Sequence, residues 1–256
     1  MKKALFLLIF FCCFQNNIFS QSSYSLNPEK DTLIGFISLS AGIMPFFINF
    51  TPETAPDILN ENNINSFDRF FLSSYKHIPD LVSDYSAYGL AFFPLISIIT
   101  NISDTKDIIT YAVMYSEALL LSYGTTFSLK GLILRNRPYM YSHGIPEGKE
   151  NDYFNSFPSG AATFAFLGAT FFSVTFYQDY PESKWGLPLI ITSYSLATAI
   201  AATRVASGAH FVTDALAGAA IGSLYGWLIP WLHLKNNNKK FEIIPAGNGI
   251  AFKMNF

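Results

Sequence analysis

The chain has few charged residues and only two cysteines. Asp, Glu, Lys and Arg make up 13% of its 256 residues, which is about half the share found in soluble domains. The formal net charge of −2 leaves no surplus of basic residues. This argues against a nucleic-acid partner, because such binding neutralises phosphates with Lys and Arg. Half of the residues are hydrophobic, so the composition favours a bundle of helices within a lipid bilayer.

The first residues have the layout of a secretory signal peptide. Lys2 and Lys3 precede a short apolar run, and small or polar residues follow around Ser20 and Gln21. We therefore predict a signal peptide over residues 1–20. Both cysteines lie inside it, so a mature chain would have no disulfide bond and no thiolate chemistry.

Six further apolar stretches follow, each near the ~20 residues that cross a hydrocarbon core. They lie at about 32–50, 82–100, 107–129, 160–178, 186–203 and 212–234. The sequence therefore predicts an all-α fold, a six-helix transmembrane bundle. In the last stretch Gly218, Gly222 and Gly226 share one helix face, which is typical of a helix packed closely against a neighbour.

Shorter segments complete the predicted organisation. "SFDRFFLSSY", residues 66–75, predicts a short helix in the membrane interface, and the tail alternates around Gly247–Gly249 like a β-hairpin. The predicted units are the signal peptide (1–20), an N-terminal helix with an interfacial segment (21–81), a membrane domain (82–234) and a polar tail (235–256).

Polar residues collect at the ends of the predicted spans. Lys130, Arg135 and Arg137 end the third, Ser159 and Gly160 start the fourth, Arg204 ends the fifth, and His210 and Asp214 start the sixth. Antiparallel helices joined by short loops bring all these ends to one side of the membrane. Snorkelling towards lipid headgroups explains any single Lys or Arg. Several cations together favour an anion site, and the i, i+4 spacing of His210 and Asp214 would let the carboxylate hold one ring nitrogen.

The same residues resemble the signature of the type 2 phosphatidic acid phosphatase (PAP2) superfamily, which has three motifs. "KGLILRNRP", from Lys130 to Pro138, matches the first motif. "TRVASGAHFVTD" matches the third at Arg204, Gly208, His210 and Asp214, with Thr203 in place of serine. "PSGA" matches the second at Pro158, Ser159 and Gly160, but Ala161 stands where the family has histidine.

The resemblance implies a role for each matched residue. Lys130, Arg137 and Arg204 would bind the phosphoryl oxygens, and the Ser159 hydroxyl and the Gly160 N–H would complete the cradle at a helix N-terminus. His210 would attack phosphorus and form a phosphohistidine, with Asp214 fixing its tautomer. The substrate would be a lipid phosphate or diphosphate, and no metal or other cofactor is implied. Arg135 lies outside the motifs and is interpreted as a rim charge.

Ala161 leaves three interpretations open, because the family's histidine protonates the leaving oxygen at this position. A diphosphate needs that acid least, so the chain could be a phosphatase of lipid diphosphates. Another acid could substitute; His143 is the first candidate, and Tyr139, Tyr141, Glu147 and Asp152 lie in the same loop. Alternatively, the chain binds phosphate or lipid without efficient turnover.

Two carboxylates within the predicted spans raise a minor alternative. Glu117 lies inside the third span and Asp84 near the start of the second, and such residues can belong to a transporter. We expect them instead to be hydrogen-bonded to neighbouring Tyr or Ser side chains.

Two signals predict opposite orientations. The basic residues at 235–240 favour a cytoplasmic C-terminus, which places the phosphate site on the periplasmic side of a bacterial inner membrane. Six complete spans after a cleaved signal peptide place it on the other side. We predict the periplasmic site and a segment 32–50, interrupted by Pro45, that is only partly inserted.

Overall fold

A computed structural model describes residues 22–48, 59–101, 105–142, 144–235, 241–246 and 249–254. The predicted signal peptide and His143 lie outside these residues. The described helices are α1 (Pro28–Ile43), α2 (Ser66–Phe70), α3 (His77–Asn101), α4 (Thr105–Ile133), α5 (Gly160–Asp179), α6 (Gly186–Ala206) and α7 (Val212–His233). Single 3-10 turns lie at Met44–Phe46, Glu61–Asn63 and Pro138–Tyr141. The helical fold predicted from the apolar stretches is confirmed.

Two short strands follow the helices in the tail. Strand β1 (Phe241–Ala246) pairs antiparallel with β2 (Gly249–Met254), with Phe241 opposite Met254 and Ala246 opposite Gly249.

Within the described residues, three helices are long and apolar enough to cross a membrane, namely α5, α6 and α7. The count of six spans therefore stays a prediction. Helix α5 is the central helix, because it contacts α3, α4, α6 and α7 and its buried residues surround the whole helix. Small residues make this position possible: Ala161, Ala165 and Ala169 are buried against α3 and α6.

Helix α7 packs on α5 through its glycine face. A Cβ on Gly218 would overlap the carbonyl oxygen of Ser159, and one on Gly222 would overlap that of Thr163. A Cβ on Gly226 would lie 2.9 Å from Thr170 Cβ. The backbones thus meet at distances that only glycine permits, as the four-residue spacing predicted. This contact fixes the start of α7 beside the start of α5.

Helix α1 runs along α4 in the same direction. Gly35 lies near Glu117, Ala41 against Gly124, and Ile48 against Gly131, so both helices approach the same end of the bundle. Residues 23–25 pair with the chain just after α7, where the Lys235 N–H donates to the Ser23 carbonyl (3.0 Å). The start of α1 and the end of α7 therefore share the opposite end, which we call the distal end.

Glu117 has a different neighbour from the one expected. Its Oε2 lies 3.4 Å from Nε2 of His233, whose ring is fully buried and lies 3.2 Å from Asp31 Oδ1. The expectation of a Tyr or Ser partner is wrong, because α1 brings Asp31 and α7 brings His233 to the same place. Neither contact follows from sequence spacing.

We predict that Gly222→Ala lowers the free energy of unfolding by about 1–3 kcal/mol, the usual cost of overpacking a core. The added methyl would overlap backbone atoms of α5, which cannot move away as a flexible side chain could. Thermal unfolding in detergent measures the change. Gly89→Ala is the matched control, since a Cβ there meets nothing within 4 Å and alanine favours a helix. Equal midpoints for the two variants would contradict the close α5–α7 contact.

Candidate active site

A cavity of about 940 Å³ opens at the end of the bundle opposite the distal end. Its lining includes six residues of the predicted site: Lys130, Arg137, Gly160, Ala161, Arg204 and His210. The ends of α4 and α6 and the start of α5 bring them together, with three carboxylates beside them, Asp84, Glu150 and Asp152. These six residues, which are up to 80 positions apart in sequence, thus share one pocket.

His210 lies in the link between α6 and α7 and is 2% exposed. Gly208, with φ +70°, turns the chain out of α6 where a side chain would overlap the backbone of Ser73 and Ser74. Nδ1 of His210 lies 2.7 Å from the carbonyl oxygen of Ser156. A carbonyl only accepts, so Nδ1 carries the proton and Nε2 has a free lone pair. Arg137 Nη1 donates to that lone pair at 3.2 Å.

Asp214 does not fix the tautomer of His210 directly. Its Oδ2 is 3.7 Å from Nδ1, which is beyond a hydrogen bond. The carboxylate accepts instead from Arg135 (2.6 Å), the Ser156 hydroxyl (2.5 Å) and the Phe211 N–H (2.8 Å). The expectation is wrong because His210 precedes α7, which begins at Val212, so the i, i+4 rule of a helix does not apply to it. Asp214 acts on His210 through Ser156.

Ser159 also differs from its expected role. Its side chain is fully buried, its hydroxyl accepts from the Ala162 N–H (3.4 Å) as the N-cap of α5, and its own N–H donates to the Asp214 carbonyl (3.0 Å). The hydroxyl is therefore used by the helix and does not line the cavity. Gly160 does line it, and a Cβ there would meet open space. The helix start faces the cavity through Gly160.

The three motif cations are each held by acceptors at the cavity wall. Arg137 donates to the Asp152 carboxylate (2.8 Å) and to the Ala209 carbonyl (2.9 Å). Lys130 donates to the Asn155 carbonyl. Arg204 lies 2.6 Å from Asp80 Oδ1 and 2.9 Å from Asp84 Oδ1. The expected Tyr or Ser partner of Asp84 is thus replaced by an arginine.

The electrostatic surroundings keep His210 neutral. Burial and the neighbouring Arg137, Arg204 and Lys130 hold its pKa well below the ordinary value of 6.5. Both burial and nearby positive charges disfavour the protonated, positively charged ring. A neutral ring with a bare Nε2 is the form that can act as a nucleophile.

Arg135 is the residue whose role the sequence missed. It bridges two fully buried carboxylates, Asp68 (2.7 Å) and Asp214 (2.6 Å), donates to the Thr213 hydroxyl (2.7 Å) and covers the Phe211 ring at 4.2 Å. It therefore ties α2 to the start of α7. Burial alone would raise the pKa of Asp68, but hydrogen bonds from Thr213 and Arg135 outweigh it and hold that pKa below its usual value.

The loop acids proposed in place of the missing histidine have different surroundings. Tyr139 is 1% exposed, and its pKa is raised mainly by burial. Asp152 lines the cavity but is paired with Arg137. Glu147 and Tyr141 do not line it, and His143 lies outside the described residues.

The sequence model of the PAP2 superfamily matches residues 111–238, half of the chain. The chain belongs to the PAP2 superfamily. The matched range contains all three motifs and every motif residue that lines the cavity.

The individual proteins that match this chain are less than 30% identical to it. A lipid A 1-phosphatase of Porphyromonas gingivalis is 29% identical over 114 residues, 44% of this chain and 24% of that protein. The chain thus spans about a quarter of the length of this PAP2-like relative. The crystal structure of a transmembrane PAP2 type phosphatidylglycerolphosphate phosphatase from Bacillus subtilis is 21% identical, with a TM-score of 0.39, and covers 93% of this chain and 96% of its own.

We predict that Arg135→Ala lowers the free energy of unfolding by about 3 kcal/mol, because it leaves two buried carboxylates without a counter-charge. Denaturation in detergent at neutral pH measures the loss. Arg69→Ala is the control, since Arg69 makes one exposed hydrogen bond to Asn62 and such surface changes stay within about 0.5 kcal/mol. A similar small effect for both variants would show that Arg135 does not hold α2 and α7 together.

We also predict that the His210 ring of the phosphate-free protein is neutral at about pH 6, near the ordinary histidine pKa. Nitrogen-15 NMR of histidine-labelled protein should show a protonated Nδ1 and an unprotonated Nε2. The signal is assigned by its loss in His210→Ala. A doubly protonated ring at this pH would contradict the buried, cation-flanked environment.

Proposed function

We propose that the chain is a membrane phosphatase that hydrolyses a lipid phosphate or diphosphate through a phosphohistidine intermediate. The observation that carries the proposal is the bare Nε2 of His210, 3.2 Å from Arg137 in a cavity that Lys130 and Arg204 also line. An unprotonated ring nitrogen beside convergent cations suits attack on a phosphoryl group.

Each described contact has a use in this reaction. A phosphoryl oxygen accepts the Arg137 N–H that donates to Nε2 in this structure. Nε2 then attacks phosphorus. Nδ1 keeps its proton and donates it to the Ser156 carbonyl throughout. No base is therefore needed to deprotonate the ring before Nε2 attacks. Lys130, Arg204 and the Gly160 N–H at the start of α5 stabilise the charge on the transferring group. Water then attacks the phosphohistidine and releases phosphate.

The rest of the cavity supports a lipid as the substrate. Apolar and aromatic side chains continue from the polar end, namely Phe46, Ile48, Tyr88, Tyr123, Phe127 and Phe164. A hydrocarbon chain can lie against them while its phosphate reaches the cations. The named activity of the P. gingivalis relative, a lipid A 1-phosphatase, is consistent with a lipid substrate of this kind.

One observation favours a second candidate, a protein that binds phosphate or lipid without efficient turnover. Ala161 lines the cavity at the first turn of α5 and cannot transfer a proton. A positioned general acid is worth about 10²–10⁴-fold in rate, so its loss without replacement would leave a slow enzyme for simple phosphate esters.

We place the protein in a bacterial inner membrane with the cavity on the periplasmic side. The basic residues at 235–240 support this orientation by the positive-inside rule. They follow the distal end, so the distal end would face the cytoplasm.

We predict that purified protein in detergent releases phosphate from phosphatidic acid or from a polyprenyl diphosphate, and that His210→Ala lowers the rate by on the order of 10³-fold or more, as loss of a nucleophile does. A phosphorus-32 label on the substrate should become trapped as an acid-labile phosphoenzyme that the variant lacks. His77→Ala is the control, since His77 is exposed and outside the cavity lining.

The two candidates give different results. Phosphate binding to the cavity with no release from either lipid would support the binding protein and contradict the phosphatase. A phosphoenzyme that persists in His210→Ala would overturn the assignment of the nucleophile.

A further inference from the structure

Asp84 of α3 is a carboxylic acid that faces the cavity and belongs to none of the three motifs. It lines the cavity, its side chain is 39% exposed, and its Oδ1 lies 2.9 Å from Nη1 of Arg204. Asp80, one turn earlier, is 3% exposed. The same arginine nitrogen therefore meets two carboxylates, one buried and one open to the cavity.

The two carboxylates have different tasks. Asp80 lies 2.6 Å from Arg204, 3.0 Å from Lys149 Nζ, and accepts from the Tyr75 hydroxyl at 2.8 Å. Arg204 Nη1 also donates to the Asp80 carbonyl (2.9 Å) and to the Ser83 hydroxyl (3.3 Å), so residues other than Asp84 hold it. Asp84 adds a second carboxyl group to a guanidinium that already has a partner. A second carboxylate near Asp84 favours retention of its proton, whereas the guanidinium of Arg204 favours its loss.

Asp84 lies on the side of the cavity where Ala161 stands. Ala161 packs in one cluster with Ala87 of α3 and Ile200 of α6. Asp84 is three residues before Ala87, and Arg204 is four residues after Ile200, so both lie on these helix faces one turn nearer the cavity. The Asp84–Arg204 pair is thus one helical turn nearer the cavity than the cluster that contains Ala161, the position at which the PAP2 resemblance places the missing histidine.

Two other carboxylates line the cavity, Glu150 and Asp152. Glu150 is exposed, and its Oε1 accepts from the Gly148 N–H (3.1 Å) within the loop before α5. Asp152 is on the nucleophile's side. Asp152 is bonded to Arg137, and Arg137 is bonded to Nε2 of His210. In a phosphoryl transfer the leaving oxygen lies roughly in line with the attacking atom, on the far side of phosphorus. A general acid must therefore reach the leaving oxygen, on the side of phosphorus opposite His210. Asp152 lies on the same side as His210.

We propose that Asp84 is the general acid–base of this site and takes the role that Ala161 cannot perform; the proposal rests on the phosphatase activity proposed above. As Nε2 of His210 forms its bond to phosphorus, the bond from phosphorus to the leaving oxygen breaks, and the Asp84 carboxyl transfers its proton to that oxygen to give the alcohol. The Asp84 carboxylate then takes a proton from the water that attacks phosphorus. The nitrogen–phosphorus bond breaks, phosphate leaves, and both residues return to their starting forms.

The test compares leaving groups in Asp84→Asn, because proton donation matters most when the departing oxygen is basic. We expect phosphate release from phosphatidic acid to fall by about 10²–10⁴-fold, while release from p-nitrophenyl phosphate falls by less than about 10-fold, since a nitrophenolate leaves without a proton. Asp107→Asn is the matched control. It makes the same carboxyl-to-amide change in the first turn of α4, outside the cavity lining, and should leave both rates unchanged.

A second variant separates proton donation from the positioning of Arg204. Adding Ala161→His to Asp84→Asn should restore the phosphatidic acid rate by at least about 10-fold, because the imidazole returns an acid to the same side of the cavity. Ala161→His alone should change the wild-type rate little. These expectations hold only if Asp84 already supplies the proton.

Three results would overturn the proposal while leaving His210-dependent phosphatase activity intact. One is an equal loss on both substrates in Asp84→Asn, which would make Asp84 only a partner of Arg204. Another is a large gain from Ala161→His in the otherwise wild-type chain, which would mean that no acid is present. The third is wild-type release from a diphosphate with none from phosphatidic acid. If wild-type protein releases phosphate from no substrate, the proposed function itself fails.

Discussion

The buried carboxylate of Asp214 is the interaction on which the rest of the site depends. Its oxygens accept from Arg135, Ser156 and the Phe211 N–H, and its carbonyl accepts from the Ser159 N–H. One residue at the start of α7 thereby holds the loop before α5, the first turn of α5 and the link that carries His210. Through Arg135 it also holds α2. A buried charge with this many donors is stable only when all of them are present, so these segments take their places together.

The bundle provides the frame for that residue. Because Gly218 and Gly222 meet the backbone of α5, the first turns of α5 and α7 lie side by side. This brings Asp214 within reach of Ser156 and Ser159. The helices could be predicted from sequence since apolar length and small-residue spacing are local properties. The convergence of Lys130, Arg137, Arg204 and His210 could be predicted because helix ends alternate between the two sides of a bundle.

The contacts that the sequence did not predict are long-range. Arg135 and Asp68 are 67 residues apart, and Arg204 and Asp80 are 124 apart, so no spacing rule relates them. The role of Asp214 was misjudged for a local reason, since a helical spacing was applied across a helix boundary. Ser159 was assigned to the ligand although an N-cap serine already has a use for its hydroxyl. In both cases a polar group with a predicted role in the reaction has structural partners instead: Asp214 accepts from Arg135, Ser156 and the Phe211 N–H, and Ser159 caps α5.

The direction of α1 constrains the orientation in the membrane. It runs with α4 towards the cavity, so residues 32–48, the described part of the segment predicted to be partly inserted, extend from the distal end towards the cavity end. Residues 23–25 and the chain after α7 meet at the distal end, and they must face the same compartment. A signal peptide cleaved after residue 20 would place that end outside the cytoplasm, whereas the basic residues at 235–240 favour the inside. The two predictions exclude each other, because the bundle brings residues 23–25 and Lys235 to one face.

Asp84 shows how the site can tolerate alanine at the start of α5. A histidine there would act from the first turn of α5, whereas Asp84, the proposed acid, would act from α3, and both positions line the same cavity. Proton transfer to a leaving oxygen depends on the reach and the protonation state of the acid and not on the helix that carries it. Asp80 and Ser83 free Asp84 for this role, because they also hold Arg204. An acid lost from one helix can therefore be supplied by another wherever the phosphate-binding arginine has a second carboxylate to orient it.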